Sequence, residues 1–301
     1  MRGPYLRLTR PFTLLMPALG MLTGGFIALG AGARPPAGVP VLVASVGLRI
    51  ALGTLMAAVL NGASNVLNQV CDLEIDRINK PDRVLPAGEL TTRQAMRYSV
   101  ALYVTAVALS VLVGWTCAAI VLVTAFATWA YSAPPLRLKR RLLVSNLTIA
   151  IPRGMLLKVA GWSAVGSIVS SELWFIAMIF GVFVFGAVST KDFSDVEGDR
   201  QHGCVTLPIR YGSRTAALLI APFFFAPSLL IGAGVAFHLL SGSPRVLLGL
   251  AVLLVAWATY VVRLMLAQEE ARLAESNQAS WTHMYLMSFA LQIGFAAAYV
   301  T

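Results

Sequence analysis

Asn68, Asp72 and Asp76 recur every four residues in Asn68-Gln-Val-Cys-Asp72-Leu-Glu-Ile-Asp76, where a long apolar stretch runs out. A second acidic stretch, Lys191-Asp192-Phe-Ser-Asp195-Val-Glu-Gly-Asp199, closes another apolar run far downstream. The chain has 13 acidic residues, and these neighbourhoods hold nine: Asp72, Glu74, Asp76, Asp82 and Glu89 in the first, Asp192, Asp195, Glu197 and Asp199 in the second. On a helix the four-residue spacing stacks Asn68, Asp72 and Asp76 along one face. Asp192, Asp195 and Asp199, spaced by three and four, offer a matching face. Magnesium takes hard oxygen ligands and is commonly held by one or two carboxylates together with substrate phosphates. Two such faces brought together would suit two Mg²⁺ ions, each bridging to a diphosphate. Acids at helical spacing in a soluble protein usually form a solvated surface. Here they abut apolar spans in a chain poor in charge, which favours the metal–diphosphate reading.

The elements that must position these carboxylates are membrane helices. Of 301 residues, 58% are hydrophobic and only 12% charged, with mean hydropathy +0.77. That composition belongs to a chain living in lipid and excludes a soluble domain. Apolar segments of bilayer-crossing length fall near 11–32, 41–70, 94–113, 115–132, 145–169, 172–190, 214–238, 243–267 and 281–300. Backbone polar groups cannot be left bare in hydrocarbon, so these segments are expected to be helices. The fold expected is an all-α integral membrane bundle of about nine transmembrane helices, one domain over 1–301, with a cytoplasmic active-site cap. The first span lacks a cleavage-type site and is followed by equally apolar ones, so it reads as a membrane span rather than a removed leader. Cys71, Cys117 and Cys204 have no metal-binding spacing and read as packing residues.

The basic residues orient the bundle. A formal net charge of +10 is no nucleic-acid signature here, because Lys and Arg follow the loops rather than one face. Arg2, Arg7 and Arg10 precede the first span; Arg77, Lys80, Arg83, Arg93 and Arg97 follow the second; Arg137, Lys139, Arg140 and Arg141 follow the fourth. Lys191, Arg200, Arg210 and Arg214 follow the sixth, and Arg263 and Arg272 flank the eighth, leaving Arg34 and Arg245 on the other side. By the positive-inside rule the N-terminus and both acidic motifs face the cytoplasm. Arg77, Lys80, Arg83 and Lys191 are placed to neutralise phosphate oxygens, as is Arg10 at the mouth of the first span. Arg49, Arg153 and Lys158 lie inside spans, where a charge is expensive and usually faces a polar cavity. Arg153 is the one expected within reach of a pyrophosphate; Arg49 and Lys158 sit nearer the far side and can snorkel.

Taken together, these residues resemble the UbiA superfamily of intramembrane prenyltransferases. Asn68 to Asp76 matches the family's first aspartate-rich motif, NxxxDxxxD, and Asp195-Val-Glu-Gly-Asp199, with Asp192 upstream, matches the second. Arg77-Ile-Asn79-Lys80-Pro81-Asp82-Arg83-Val-Leu-Pro86-Ala-Gly88 looks like the loop that follows the first motif, with Val84-Leu85 where an arginine–proline pair is common. Tyr131-Ser132-Ala-Pro-Pro-Leu-Arg137-Leu-Lys139 looks like the tyrosine–serine loop after the fourth helix. The resemblance implies two Mg²⁺ ions held through Asn68, Asp72, Asp76, Asp195 and Asp199, an isoprenyl diphosphate donor, and transfer of the prenyl group with loss of pyrophosphate. It also brings Asn65 and Lys139 among the expected diphosphate contacts. Asp192 or Asp76 is expected near the proton-loss step. Tyr131 either hydrogen-bonds substrate near the reacting centre or serves as an interfacial belt residue.

The acceptor is expected to be aromatic or lipid. A quinone-precursor ring is favoured, with geranylgeranylglyceryl phosphate or a chlorophyllide-type tetrapyrrole as the alternative. A bacterial or archaeal cell membrane is the expected setting. Two other classes fit less well. Intramembrane CDP-alcohol phosphotransferases need a DGxxAR stretch, and Met56 to Asn65 supplies nothing like it. An ion-coupled transporter usually sets its acids at the bilayer midplane on broken helices, whereas these sit at helix ends.

Overall fold

In the computed structural model, which describes residues 3–34, 42–267 and 279–301, every regular element is helical. Nine of the described helices are long and apolar enough to cross a membrane: α1 (Pro11–Gly30), α2 (Val46–Cys71), α3 (Thr92–Val113), α4 (Trp115–Ser132), α5 (Leu142–Ser163), α6 (Ser171–Phe193), α7 (Ser213–Ala236), α8 (Pro244–Ala267) and α9 (Ala279–Val300). The expected spans therefore all form, with shifted ends. Arg2 and Arg272 lie outside the described residues.

Two boundaries differ for physical reasons. The fifth span ends at Ser163 rather than near 169, and inside it Ile151–Leu156 form a π-helical turn at Pro152-Arg153-Gly154. Pro152 lacks the N–H an α-helix needs, and the wider turn absorbs that loss. The sixth span runs on past 190, as a tight 3₁₀ segment over Val188–Phe193 that delivers the second acidic motif.

The helices pack in a ring, α2–α3–α4–α5–α6–α7–α8–α9, closed by α1, which touches α2, α5 and α9. Buried residues of α1, α2, α5, α6, α7, α8 and α9 share one apolar core, and exposed leucines, valines and aromatics cover the outside, as lipid contact requires. Helices have no hydrophobic drive to associate in lipid, so close backbone approach at small residues does the joining. A Cβ on Gly161 of α5 would lie 2.5 Å from the Met21 carbonyl and 2.8 Å from the Gly24 Cα of α1. Gly154 meets Gly181 of α6 in the same way, at 2.7 Å. A polar cluster reinforces the α1–α5–α9 junction. The buried Lys158 ammonium donates to Thr23 Oγ1 at 2.6 Å, to Gln292 Oε1 and to the Gly20 carbonyl at 3.3 Å, and lies 4.1 Å from the Phe180 ring centroid.

Gly161→Ala forces α1 and α5 apart and is expected to cost about 1–3 kcal/mol, read as a lower melting temperature in detergent. Gly249→Ala, on α8 with open space around it, should leave melting unchanged or slightly raised. Equal melting of both variants would contradict the close crossing.

Candidate active site

The first motif stays helical in spacing although the helix pauses. α2 ends at Cys71, Asp72 takes φ −109°, ψ 15°, and a short helix resumes over Leu73–Asn79. Backbone bonds from Asp72 N to Asn68 O (2.9 Å), Asp76 N to Asp72 O (2.8 Å) and Lys80 N to Asp76 O (2.8 Å) carry the four-residue register through the break. Asn68, Asp72 and Asp76 thus remain on one face. Opposite them, the 3₁₀ turn places Lys191 and Asp192, Asp195 caps the short helix Val196–Gln201, and Asp199 follows one turn on.

The two motifs are tied by a pair of neighbouring residues. Asn79 Nδ2 donates to the Asp195 carbonyl (3.2 Å) while its Oδ1 accepts from Gly198 N (2.9 Å). Gly198 is required for this approach, since a Cβ there would come within 2.6 Å of the Asn79 side chain. Lys80 Nζ pairs with Asp195. Asn79 was visible in sequence only as part of a loop; a carboxamide beside a glycine in a distant motif leaves no signal in spacing.

One polar cavity of about 90 Å³ results, on the side of the bundle where both motifs emerge. It is lined by Arg10, Asn68, Asp72, Asp76, Lys80, Arg83, Tyr131, Lys139, Lys191, Asp192, Asp195 and Asp199, along with Asn79, Ser145, Cys204 and others that sequence spacing did not single out. Three expected site residues lie elsewhere. Asn65 donates to the Thr9 carbonyl (2.9 Å) and Thr13 Oγ1 (2.8 Å) and anchors the start of α1. Arg77 pairs outside with Glu74 at 2.8 Å. Arg153 lines a second, apolar cavity. Arg137, expected only as part of the loop after α4, reaches Cys71 O (3.0 Å) and Asp72 Oδ1 (3.3 Å).

Three of the five cavity carboxylates are paired with cations. Asp72 accepts from Lys139, Arg137 and Asn68; Asp76 accepts from Arg83 at 2.6 Å; Asp195 accepts from Lys80. Lys191 Nζ donates to the Tyr131 hydroxyl at 2.7 Å. Burial pushes the Asp195 carboxyl up, but the charge and hydrogen bond of Lys80, with Lys191 and Arg83 behind it, win and hold it below the ordinary range. Asp199 is raised, by burial first and by Asp195 second. Burial and the nearby Arg83 bring Arg10 down to about 10, and Lys80 is lowered mainly by burial. The lowering reflects burial first, and five cations, Arg10, Lys80, Arg83, Lys139 and Lys191, line the cavity against the five carboxylates Asp72, Asp76, Asp192, Asp195 and Asp199. Arg10 (φ 55°) and Arg137 (φ 38°) both hold left-handed backbone, a conformation that non-glycine residues adopt at a cost of order 1–3 kcal/mol and that clusters at functional sites.

Among the described residues no three His, Cys, Asp or Glu side chains converge into a protein-only metal cage. The donor set is nonetheless the right one for Mg²⁺: hard oxygens, with Asp72, Asp76 and Asp195 facing ammonium, guanidinium or amide groups. Immediately below lies the apolar cavity, about 40 Å³, walled by α1, α2, α4 and α5. Asn68 and Tyr131 line the upper cavity, and Ser64 and Thr128, about one turn deeper on the same helices, line the lower.

A helical membrane bundle with a charge-dense pocket above an apolar one presents a site shaped for a ligand with an anionic head and an apolar tail. A model of the UbiA prenyltransferase family matches residues 14–289. The chain is 32% identical over 213 residues to digeranylgeranylglyceryl phosphate synthase of Natronomonas pharaonis, covering 70% of this chain and 72% of the relative. It is 29% identical over 227 residues to the enzyme of the same name from Methanococcus aeolicus, covering 75% and 74%. The solved structure of a UbiA homolog from Archaeoglobus fulgidus bound to DMAPP and Mg²⁺ superposes with TM-score 0.73 over 99% of both chains, at 19% identity, a likeness of fold. The protein belongs to the UbiA prenyltransferase family and is a membrane prenyltransferase.

The Lys80–Asp195 pair, roughly a quarter exposed on each side, joins residues 115 apart in sequence. A double-mutant cycle of Lys80→Met and Asp195→Asn, read by melting in detergent without Mg²⁺, should give a coupling of about 0.5–2 kcal/mol. Strictly additive effects would mean the two motifs are not held by this contact.

Proposed function

We propose that the protein transfers a prenyl group from an isoprenyl diphosphate to geranylgeranylglyceryl phosphate, releasing pyrophosphate, with two Mg²⁺ ions. The observation that carries the reading is the convergence of two acidic motifs, more than a hundred residues apart, with Arg10, Lys80, Arg83, Lys139 and Lys191 over an apolar cavity. Asn68, Asp72, Asp76, Asp195 and Asp199 would hold the metal, which supplies charge neutralisation for the departing diphosphate. The acceptor assignment rests on the relatives, which are named digeranylgeranylglyceryl phosphate synthases, and it displaces the quinone-type ring favoured from sequence.

The chain's own groups account for the rest of the chemistry. Arg10, Lys80, Arg83 and Lys139 bind the diphosphate and stabilise the charge that grows on it as the allylic C–O bond ionises. The prenyl tail leaves along the bundle toward lipid, where apolar surroundings keep water from the cationic carbon. Tyr131, held by Lys191, lines the upper cavity about one turn above Thr128 of the lower one and orients the reacting end. Asp192, buried beside Lys191, is the group in place to take the acceptor's proton. The reading covers the whole chain as one domain, with the N-terminus and the pocket at the cytoplasmic face of an archaeal or bacterial membrane.

Prenyl transfer in liposomes with labelled geranylgeranyl diphosphate and a panel of lipid and aromatic acceptors tests this. Wild type is expected to prefer geranylgeranylglyceryl phosphate and to lose activity with EDTA. Asp72→Ala and Asp195→Ala should each fall by at least about 100-fold, the scale of losing one strong transition-state contact. Preference for an aromatic acceptor would overturn the acceptor, and metal-independent turnover would overturn the pocket assignment.

A further inference from the structure

Arg153 is the conspicuous cation that the pocket leaves out. It sits on the π-turn of α5, within a span; the residue is exposed at the bundle's surface and lines the lower cavity rather than the acidic one. Among the described residues it has no ion pair or hydrogen bond; the phenols of Tyr131, Tyr285 and Tyr103 are its electrostatic neighbours, and no carboxylate stands with them. A guanidinium stays charged at any ordinary pH, and a charge kept inside a span without a counter-ion is costly unless a ligand supplies one. The surroundings are graded to receive such a ligand. Asn61 and Ser64 of α2 and Thr124 and Thr128 of α4 line the wall, while Leu60 and Leu156 close it off. Arg153 thus faces a compartment with polar walls toward the reacting centre and apolar walls toward lipid.

We infer that Arg153 is the receptor for the acidic headgroup of the acceptor, binding its phosphate monoester through the guanidinium fork, and that it does not bind the donor's diphosphate. The inference rests on the acceptor reading above and adds to it the residue that selects an anionic lipid. The argument is one of separation. The donor's diphosphate has its own cations in the upper cavity, and none of them lines the lower one. Arg153 is eight residues along α5 from Ser145, which lines the upper cavity, so it sits about 12 Å deeper. A phosphate held there lies on the far side of Tyr131 from the diphosphate, so two anions are kept apart while the acceptor hydroxyl reaches the prenyl carbon between them. The π-turn matters because it widens α5 at this residue, and Gly154 behind it packs directly on Gly181, pinning the backbone that carries the guanidinium.

The test measures two Michaelis constants in wild type, Arg153→Gln and Arg153→Lys, with binding of geranylgeranyl diphosphate plus Mg²⁺ in the absence of acceptor as a fold control. The expected result is an acceptor KM raised roughly 10- to 100-fold in Arg153→Gln, the scale of losing a charge-assisted hydrogen bond. Arg153→Lys should fall in between, with donor KM and donor binding within about twofold of wild type. Wild type should show the same loss when the acceptor lacks its phosphate, an arm that needs no variant, and Arg153→Gln should no longer distinguish the two acceptors. A raised donor KM, or continued discrimination by Arg153→Gln, overturns the inference while the proposed function stands. If wild type instead uses a carboxylate-bearing aromatic acceptor and Arg153→Gln raises its KM, the lipid acceptor falls and the headgroup role survives. Turnover of neutral acceptors alone sinks both.

Discussion

Gathering so many ionised groups at the end of a membrane bundle is tolerable only with extensive pairing among them, and this requirement organises the molecule. A buried charge left alone costs several kcal/mol, more than most single packing contacts return. Asp72 therefore sits between Lys139 and Arg137, Asp76 against Arg83, and Asp195 against Lys80. The partners come from two loops, Lys80 and Arg83 after the first motif and Arg137 and Lys139 after α4, so satisfying the charges also folds both loops inward over the helix ends. Removing one member of a pair is worse than never having had the pair, because the survivor stays buried.

Beneath that cap, neutral polar contacts do the positioning. Asn61, Asn65 and Gln69 recur every four residues on α2, and their amides catch the carbonyls of Thr13, Thr9 and Leu8. This ladder fixes the start of α1, and with it Arg10, relative to the acids one face around the same helix. The acids occupy positions 68, 72 and 76, the amides 61, 65 and 69; α2 carries binding groups on one side and scaffold on the other. Asn146 plays the matching part between α5 and α6, donating to Ser189 Oγ (2.7 Å) and the Phe185 carbonyl (2.9 Å).

Much of this was legible in the amino-acid sequence. Nine spans, their alternating basic loops and both acidic motifs follow from apolar length and four-residue spacing, which are local properties. The misplacements have a common origin. Asn65 shares the polarity of Asn68 but is three residues away, about 60° around the helix, enough to turn it from the cavity to the neighbouring helix. Arg77 and Glu74, three apart on a short exposed helix, satisfy each other before either can serve the pocket. Arg153 was set beside the pyrophosphate on depth alone, whereas the π-turn, invisible to hydropathy, gives it a different compartment. Tertiary links such as Asn79 to Gly198 depend on which helix ends meet, and spacing within one segment does not encode that.

The Lys158 cluster bears on how the chain enters the bilayer in the first place. α5 carries Lys158, Arg153 and a proline, and a lysine or arginine at a helix centre opposes insertion by about 2.5–3.5 kcal/mol each. Its ammonium finds three oxygen acceptors only when α1 lies on one side and α9 on the other, since Gln292 is the acceptor 134 residues later. The cost of placing Lys158 in lipid is therefore offset in full only once α1, α5 and α9 are all assembled, which couples the first span to the last.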